Sequence, residues 1–239
     1  NNEIIFVCSR IYYNQICQQL FERGIPSENI INIGKVFDKL IEWQYFDLEY
    51  LESNKEKEVF VDVGCYDGTS SINFVNWCTN KNNIHIYAFE PDKANIVKGE
   101  KALKLLGKSY NLIPKGVWST NKTLKFRAEG SVLSGIDENG MQIINVLDLK
   151  IINVTSIDEE LKDKKVTFIK MDIEGSEIQA LIGAEQHIRR YRPKLAICIY
   201  HKANDIWEIP KLLLTYNPTY KFYLRHYSLL QAETVLYAI

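Results

Sequence analysis

The 239-residue sequence predicts an α/β fold with a mostly parallel sheet that ends in an antiparallel β-hairpin, and with a small α/β appendage at its N-terminus. Two observations favour this fold. From residue 58 onward, short apolar runs of strand length alternate with segments of helical periodicity, as in parallel sheets with crossover helices. The last two strand-like runs, residues 220–227 and 234–239, are too close together for a helical crossover, so they must be antiparallel.

The first 57 residues are expected to form the appendage and its connection to the main domain. Residues 4–8 and 30–33 have the pattern of short strands, and apolar residues at helical spacing lie between them. A unit of about 35 residues buries too little surface to fold alone, so we interpret it as the tail of an N-terminal module cut inside a longer protein. Residues 36–51 have the spacing of one or two helices, and charged residues follow them. We therefore predict two domains, residues 1–57 and 58–239.

The main domain is predicted as alternating strands and helices. Its expected strands are residues 59–63, 84–89, 111–117, 166–171 and 195–200. One helix is expected to begin near residue 70, and two further helices are expected at residues 93–106 and 176–191. Residues 124–154 interrupt this order with short alternating segments around Gly130, Gly135 and Gly140, which indicate a hairpin excursion. The terminal hairpin distinguishes this architecture from that of the dinucleotide dehydrogenases.

Composition and charge argue against several classes of partner. The formal net charge of -1 provides no attraction to nucleic acid or to an anionic membrane, so neither is expected as a partner. No apolar run approaches the roughly 20 residues of a membrane-spanning helix, and the first residues lack the pattern of a signal peptide. The five cysteines are odd in number and contain no C-x-x-C pair. We therefore predict a cytoplasmic protein with reduced thiols.

A glycine-rich turn after the first strand of the main domain is the central candidate site. Ligands of open parallel sheets bind at this strand end, and glycines let the backbone approach them closely. The turn's carboxylates repel phosphate but can pair with the ammonium of a methionine moiety, which favours S-adenosylmethionine over a dinucleotide. Its candidate cofactor-binding residues are Asp62, Gly64, Tyr66, Asp67, Gly68 and Thr69. The alternative is a plain strand-to-helix turn with Asp67 or Thr69 as helix cap.

A second acidic position follows the next strand. Glu90 lies roughly 20 residues beyond the glycine turn, which is the spacing of a ribose-binding acid, and Pro91 ends the strand there. This position supports a nucleoside cofactor without distinguishing nicotinamide from methionine cofactors, and a solvated glutamate in a turn is the alternative. Gly116 and Val117, at the end of the third predicted strand, complete the candidate cofactor-binding residues.

Candidate catalytic residues follow two later strands. Asp172 and Glu174 could hold the substrate or the cofactor's amine, or act as a general base, and Asp172 is therefore also a cofactor-binding candidate. Alternatively, both carboxylates lie at the start of a helix, where acidic groups interact favourably with the helix dipole. His201 follows another strand at the same edge and could accept a proton from the acceptor. These three residues could also ligate a metal ion, but carboxylates at this spacing are a weak signal, so we predict no metal.

Taken together, these segments resemble the FkbM-like family of S-adenosylmethionine-dependent O-methyltransferases. The resemblance covers about three quarters of the chain, and its most specific part is the run I-K-M-D-I-E-G at residues 169–175. It implies a Rossmann-like class I methyltransferase fold and methyl transfer from S-adenosylmethionine to a hydroxyl oxygen, often on a sugar or another small molecule. The family's cofactor positions fall on Asp62, Gly64, Asp67, Gly68 and Glu90. The chain departs from the family pattern at residues 65–66 and 200–201.

The acceptor site is predicted from less specific features. Residues 130–135 are expected to form a lid or acceptor loop because their glycines permit movement. Four aromatic residues could line the acceptor cleft, with ordinary packing as the alternative: Trp207, Tyr216, Tyr220 and Tyr223. Two other functions remain open, a nicotinamide-dependent oxidoreductase and a non-catalytic nucleoside- or glycan-binding module.

Overall fold

The three-dimensional description is a computed structural model that covers residues 4–9, 12–34, 44–127, 135–136, 149–228 and 231–239. The N-terminal unit has the predicted strand–helix–strand order. Its elements are β1 (Ile5–Val7), α1 (Tyr13–Glu22) and β2 (Ile30–Asn32). The two strands pair in parallel as a separate two-stranded sheet.

Residues 44–51 differ from the helical prediction for residues 36–51. They form turns, and Tyr45 has a φ of 76° that no α-helix accommodates, whereas residues 35–43 lie outside the described part of the chain. Their apolar spacing has another cause, because Tyr45, Phe46, Leu48 and Leu51 are buried in the core of the main sheet. The domain boundary between residues 57 and 58 remains a prediction, although these side chains pack across it.

The main part of the chain alternates strands and helices as predicted. In chain order its elements are β3 (Glu58–Val63), α2 (Thr69–Trp77), β4 (Ile84–Phe89), α3 (Lys93–Leu105), β5 (Ser109–Ile113), β6 (Gly116–Val117), β7 (Lys122–Arg127), β8 (Gly135–Ile136), β9 (Leu149–Thr155), α4 (Ile157–Leu161), β10 (Phe168–Met171), α5 (Glu177–Ile182), α6 (Glu185–Tyr191), β11 (Lys194–Cys198), α7 (Asp205–Tyr216), β12 (Phe222–His226) and β13 (Thr234–Ala238). The helix α7 was not predicted from the sequence.

Seven of these strands form the central sheet in the order β12-β13-β11-β10-β3-β4-β5. The five strands from β11 to β5 are parallel, and β13 is antiparallel to both β11 and β12, which confirms the predicted terminal hairpin. Alternate residues of each strand face opposite sides, so Val61 and Val63 belong to one hydrophobic cluster and Phe60 to the other. Asp62 and Lys170 share the face of Phe60 and Phe168, where a charged group needs a partner.

Two predicted elements are divided in the structure. The strand predicted at residues 111–117 ends at Ile113, and Gly116–Val117 pairs with Val154–Thr155 in a separate four-stranded sheet. The intervening turn follows from Pro114, which has no amide hydrogen to donate to the ladder. The helix predicted at residues 176–191 is two helices separated at Gly183, where an added Cβ would lie 2.1 Å from the carbonyl oxygen of Trp118. That close approach needs a residue without a side chain.

The predicted hairpin excursion is confirmed in its described part. Lys122–Arg127 and Leu149–Thr155 pair antiparallel, and Gly135–Ile136 adds a short strand. Gly130, Gly140 and residues 131–134 of the predicted lid lie outside the described residues. All five cysteines lie within the described residues, and each is a free thiol. Within these same ranges, every helix is too short or too polar to cross a membrane.

Candidate functional site

The carboxyl ends of β3, β4 and β10 bring the candidate residues to one edge of the sheet. The parallel register pairs Asp62 with Ala88 on one side and with Lys170 on the other. The strands therefore end side by side, and the chain segments that follow Val63, Phe89 and Met171 lie next to one another. This is the edge at which ligands of open parallel sheets bind.

Asp62 is fully buried and bound on several sides. Ser70 and Ser71, in the first turn of α2, donate hydrogen bonds of 2.6 and 2.7 Å to its Oδ2. Its Oδ1 lies 3.3 Å from the ammonium of Lys170, which also donates to the carbonyl oxygen of Gly64 over 2.7 Å. Burial acts to lower the pKa of Lys170, but the charges of Asp62 and Asp172 outweigh it and raise the pKa. Lys170 is therefore a permanent cation beneath the glycine turn.

The glycine turn is held against the end of β10. Gly64 has a φ of 76°, and a Cβ added there would lie 2.1 Å from the carbonyl oxygen of Asp172. Its amide and that of Cys65 donate to the carbonyl oxygen of Phe89, at the end of β4. The close approach of three chain segments thus depends on glycine at position 64. It also places the turn directly beside Asp172.

The remaining candidates of the turn have mixed roles. Tyr66 has a φ of 49° and donates its amide to Oε2 of Glu90 over 3.1 Å. Asp67 accepts the amide of Thr69 over 3.0 Å, but the N-cap of α2 is Gly68 and no described side chain caps the helix, so neither Asp67 nor Thr69 is the helix cap considered as the alternative. Gly68, with a φ of 84°, precedes α2 and packs near Ala102 of α3.

Glu90 is a buried carboxyl group at the end of β4. Its Oε2 accepts the amide of Tyr66, and its Oε1 accepts the amide of Asp92 over 2.9 Å. Burial raises its pKa to about 7, against the opposing effect of these two backbone hydrogen bonds. Pro91 follows directly and separates β4 from α3. Each oxygen keeps further accepting capacity, so this carboxyl group could bind two hydroxyls of a ribose.

Gly116 and Val117 lie in the second sheet rather than in the central one. Their strand pairs with Val154–Thr155, and Val117 belongs to the same hydrophobic cluster as Val63 and Phe89. Both residues are buried. No described contact assigns Gly116 or Val117 a polar role toward a ligand.

The three predicted catalytic residues converge. The Nε2 atom of His201 lies 3.5 Å from Oδ1 of Asp172 and 3.5 Å from Oε2 of Glu174. Its Nδ1 atom lies 3.0 Å from Oε1 of the buried Glu177. Burial acts to lower the pKa of His201, but these carboxylates, Glu177 foremost, raise it to about 9. The imidazole is therefore protonated at neutral pH, so it must first lose a proton before it can act as the predicted acceptor.

Most of the aromatic residues predicted as a possible lining of the acceptor cleft lie away from the carboxyl edge of the sheet. Tyr220 donates its hydroxyl to the carbonyl oxygen of Pro193 over 2.7 Å, just before β11 begins, which is the opposite edge of the sheet. Tyr216 is buried in the same hydrophobic cluster, and Tyr223 stacks on Tyr50. These three residues follow the ordinary packing alternative, since they fill the interior or cover a strand. Trp207 is 56% exposed near the start of α7.

Several residues of the site were not singled out from the sequence. They are Tyr45, Ser70, Ser71, Lys170, Glu177 and Tyr200. Tyr45 and Tyr200 donate hydrogen bonds of 3.0 and 3.2 Å to the two oxygens of Asp172. Lys170 did leave a signal, because a lysine inside an otherwise apolar strand predicts a buried partner of opposite charge.

A cavity of about 820 Å³ lies away from these residues. Val59, His85 and Lys194 line it, and each lies at the start of its strand. The cavity therefore opens at the amino edge of the sheet, opposite the glycine turn. The convergence of Asp172, Glu174 and His201 beside Gly64 makes the carboxyl edge the better candidate for chemistry, since volume alone supplies no reactive group.

Comparison with known proteins identifies the family of the chain. The sequence profile of the family described as the methyltransferase FkbM domain matches residues 62–227. The range begins at Asp62 and includes the glycine turn, Glu90 and the group around His201. No curated protein sequence is significantly similar to the chain.

Solved structures share the fold, and two of them illustrate it. The crystal structure of methyltransferase FkbM from Methylobacillus flagellatus KT matches with 27% identity and a TM-score of 0.66, over 83% of this chain and 47% of that one. This chain thus spans about half the length of that protein. Fibrillarin from Aeropyrum pernix, crystallised with natively bound S-adenosyl-L-methionine, matches with 12% identity and a TM-score of 0.51, over 84% and 74% of the two chains. The predicted Rossmann-like class I methyltransferase fold is confirmed.

Proposed function

The chain belongs to the FkbM methyltransferase family, and from this premise we propose that it transfers a methyl group from S-adenosylmethionine to a hydroxyl oxygen of a small-molecule or carbohydrate acceptor. The observation that supports it most is the close approach of Gly64 to Asp172, where an added Cβ would lie 2.1 Å from the carbonyl oxygen. The glycine turn, which is suited to a cofactor, therefore lies at the same edge of the sheet as the polar side chains around Asp172.

The residues at this edge fit S-adenosylmethionine. Glu90 would accept the ribose hydroxyls, because two backbone amides orient its carboxyl group while leaving it accepting capacity. The backbone of residues 64–68 would lie against the methionine part, since Gly64 and Gly68 present no side chain there. Asp62 would act from beneath through the electrostatic field that it shares with Lys170, because its carboxylate is buried below the turn.

The chemistry of the transfer needs alignment above all. S-adenosylmethionine supplies an activated methyl group, whose bond to sulfur breaks with its electron pair moving to sulfur while the acceptor oxygen forms the new bond to carbon and releases its proton. Asp172, Glu174 and His201 would position the acceptor hydroxyl and receive that proton, His201 only after it has released the proton it holds at neutral pH. Tyr45 and Tyr200 hold the carboxylate of Asp172 in place through hydrogen bonds to both of its oxygens.

The proposal extends to the partners and the location of the protein. A net charge of -1 supports a small-molecule or carbohydrate acceptor rather than nucleic acid or a membrane surface. The five free thiols support a cytoplasmic location, where cysteines stay reduced.

Calorimetric titration with S-adenosylmethionine, S-adenosylhomocysteine and NAD tests the cofactor. We expect both methionine-derived ligands to bind, and Glu90→Ala to weaken them by at least tenfold through loss of the ribose contact. Glu208→Ala, at an exposed position on α7, is the matched control and should bind as the wild type does. Binding of NAD alone would favour an oxidoreductase, and absence of all binding would favour a non-catalytic module.

Incubation with S-adenosylmethionine that carries a ¹³C-labelled methyl group tests the transfer. Sugars and hydroxylated small molecules serve as acceptors, and new O-methyl signals in the NMR spectrum identify the product. Labelled methyl on nitrogen or carbon would contradict the hydroxyl acceptor while leaving the cofactor assignment intact.

A further inference from the structure

The Nε2 atom of His201 has an unusual environment. The imidazole side chain is 7% exposed, and Nε2 has no hydrogen-bond partner among the residues that the structure describes. It points between the carboxylates of Asp172 and Glu174, each 3.5 Å away. A buried polar atom without a partner is costly to the folded state. Its position between two anionic groups indicates what would satisfy it, namely a cation that all three side chains share.

From this geometry we propose that Asp172, Glu174 and His201 bind a divalent first-row transition metal ion, of the Mn²⁺ or Zn²⁺ kind. Their ligand atoms all lie within 4.8 Å of one another. Ligands about 2.0–2.2 Å from one such ion are about 3.0–3.5 Å apart when they occupy neighbouring positions, so the separations of 3.5 Å around Nε2 need little adjustment. The imidazole nitrogen favours a transition metal over Mg²⁺ or Ca²⁺, which prefer oxygen.

The surrounding side chains support metal binding. Glu177 is fully buried, and its Oε1 lies 3.0 Å from Nδ1 of His201. Binding of the ion displaces the proton on Nε2, and a carboxylate this close to Nδ1 keeps the other proton on that nitrogen, as carboxylates behind metal-bound histidines do. Tyr45 and Tyr200 orient Asp172 in the same way. Three carboxylates surround one imidazole here, and a dication offsets their charge.

One side of the proposed ion faces outward. The side chains of Asp172 and Glu174 are 25% and 27% exposed, so the three protein ligands leave coordination positions for water or an acceptor oxygen. An acceptor hydroxyl bound to the ion would lose its proton to solvent more readily; this role rests on the proposed methyl transfer. The sequence offered the same three residues as possible ligands, but the spacing of the carboxylates alone was a weak signal and no metal was predicted. The structure adds the distances that bring the three ligand atoms within 4.8 Å of one another.

Titration of the chelator-treated full chain with Mn²⁺, followed by calorimetry and pulsed electron paramagnetic resonance, tests the proposal. We expect one saturable site with a ¹⁴N coupling from a directly bound imidazole. His201→Asn should abolish the coupling and weaken binding at least a hundredfold, and Glu177→Gln should weaken it by about 10–100-fold. His226→Ala is the matched control, because this histidine is exposed on β12 and bonds Thr234.

A second variant, Glu174→Gln, is needed in case His201→Asn fails to fold. The side chain of Glu174 is 27% exposed and tolerates the change. Glu174→Gln should weaken Mn²⁺ binding while the thermal unfolding transition stays unchanged. Absence of saturable binding below millimolar Mn²⁺, or binding that survives both substitutions, would overturn the metal site. The same samples are titrated with S-adenosylmethionine. Cofactor binding without metal binding overturns this inference alone, whereas metal binding without cofactor binding overturns the proposed function alone.

Discussion

The ammonium of Lys170 lies 3.3 Å from Oδ1 of Asp62, and the two side chains are 4% and 0% exposed. The register of β3 against β10 makes these residues direct neighbours. Both charges lie on a sheet face lined by Phe60 and Phe168. The pair therefore forms the electrostatic base of the candidate cofactor site, and removing either partner would strand the other charge in the interior.

Lys170→Met is expected to destabilise the protein by about 3–5 kcal/mol, because Asp62 would remain buried without its counter-ion. The double variant Asp62→Asn/Lys170→Met should lose less than the sum of the two single changes, as urea denaturation would show. Arg190→Met is the control at an exposed ion pair, 3.1 Å from Asp163, and should cost less than about 1 kcal/mol. Strictly additive losses would contradict the coupling.

Gly64→Ala is expected to cost more stability than a left-handed backbone alone explains. Gly24→Ala is the matched control, because Gly24 has a φ of 78° against 76° for Gly64 but nothing within 4 Å of an added Cβ. The control should lose about 1–2 kcal/mol. Gly64→Ala should lose about 2 kcal/mol more, because its Cβ would collide with the backbone of Asp172. Equal losses in thermal or urea unfolding would argue against the close approach.

Glu90→Gln is expected to change how stability depends on pH. Burial raises the pKa of Glu90 to about 7, whereas an unfolded glutamate titrates near 4.5. Folding therefore favours the protonated carboxyl group of Glu90. Its contribution to the free energy of unfolding of the wild type is fully present below pH 4.5 and is lost as pH rises through 7. Glu90→Gln has no group that ionises there, so its free energy of unfolding should rise by about 3 kcal/mol relative to that of the wild type as the pH is raised from below 4.5 to above 7.

Urea denaturation of the cofactor-free protein across this pH range measures the effect. The groups that face Glu90 are Asp92, whose charge raises the pKa of Glu90, and Lys170, whose charge lowers it. Glu208→Gln, at an exposed position, should reproduce the wild-type profile. Parallel profiles for Glu90→Gln and the wild type would show that the carboxyl group ionises as freely when folded as when unfolded.

Tyr45→Phe is expected to destabilise the protein by about 1–3 kcal/mol, because a buried hydroxyl that donates to the carboxylate of Asp172 over 3.0 Å is lost. Tyr50→Phe, five residues away and 61% exposed, should change stability by less than about 0.5 kcal/mol. Denaturation midpoints compare the two variants. Equal effects would mean that residues 44–51 do not contribute to the site as their contacts indicate.

Much of the fold was predictable because it follows from local periodicity. The strand at residues 84–89 was predicted with the observed bounds, and the terminal hairpin followed from the short connection before Thr234. The misassigned elements have tertiary causes. Gly183 breaks a helical pattern because the backbone of Trp118 passes close by, and the apolar spacing of residues 44–51 reflects contacts with the sheet rather than a helix.

The sequence by itself determined the alternation of strands and helices, the resemblance to a methyltransferase family, and the positions of Asp62, Glu90 and Asp172 after apolar strands, because these features lie within short stretches of chain. Tertiary structure alone decided the partner of each group. Lys170 meets Asp62 from more than a hundred residues away, and the Nε2 atom of His201 lies 3.5 Å from Oδ1 of Asp172. Such contacts depend on strand order and register, which local periodicity does not specify.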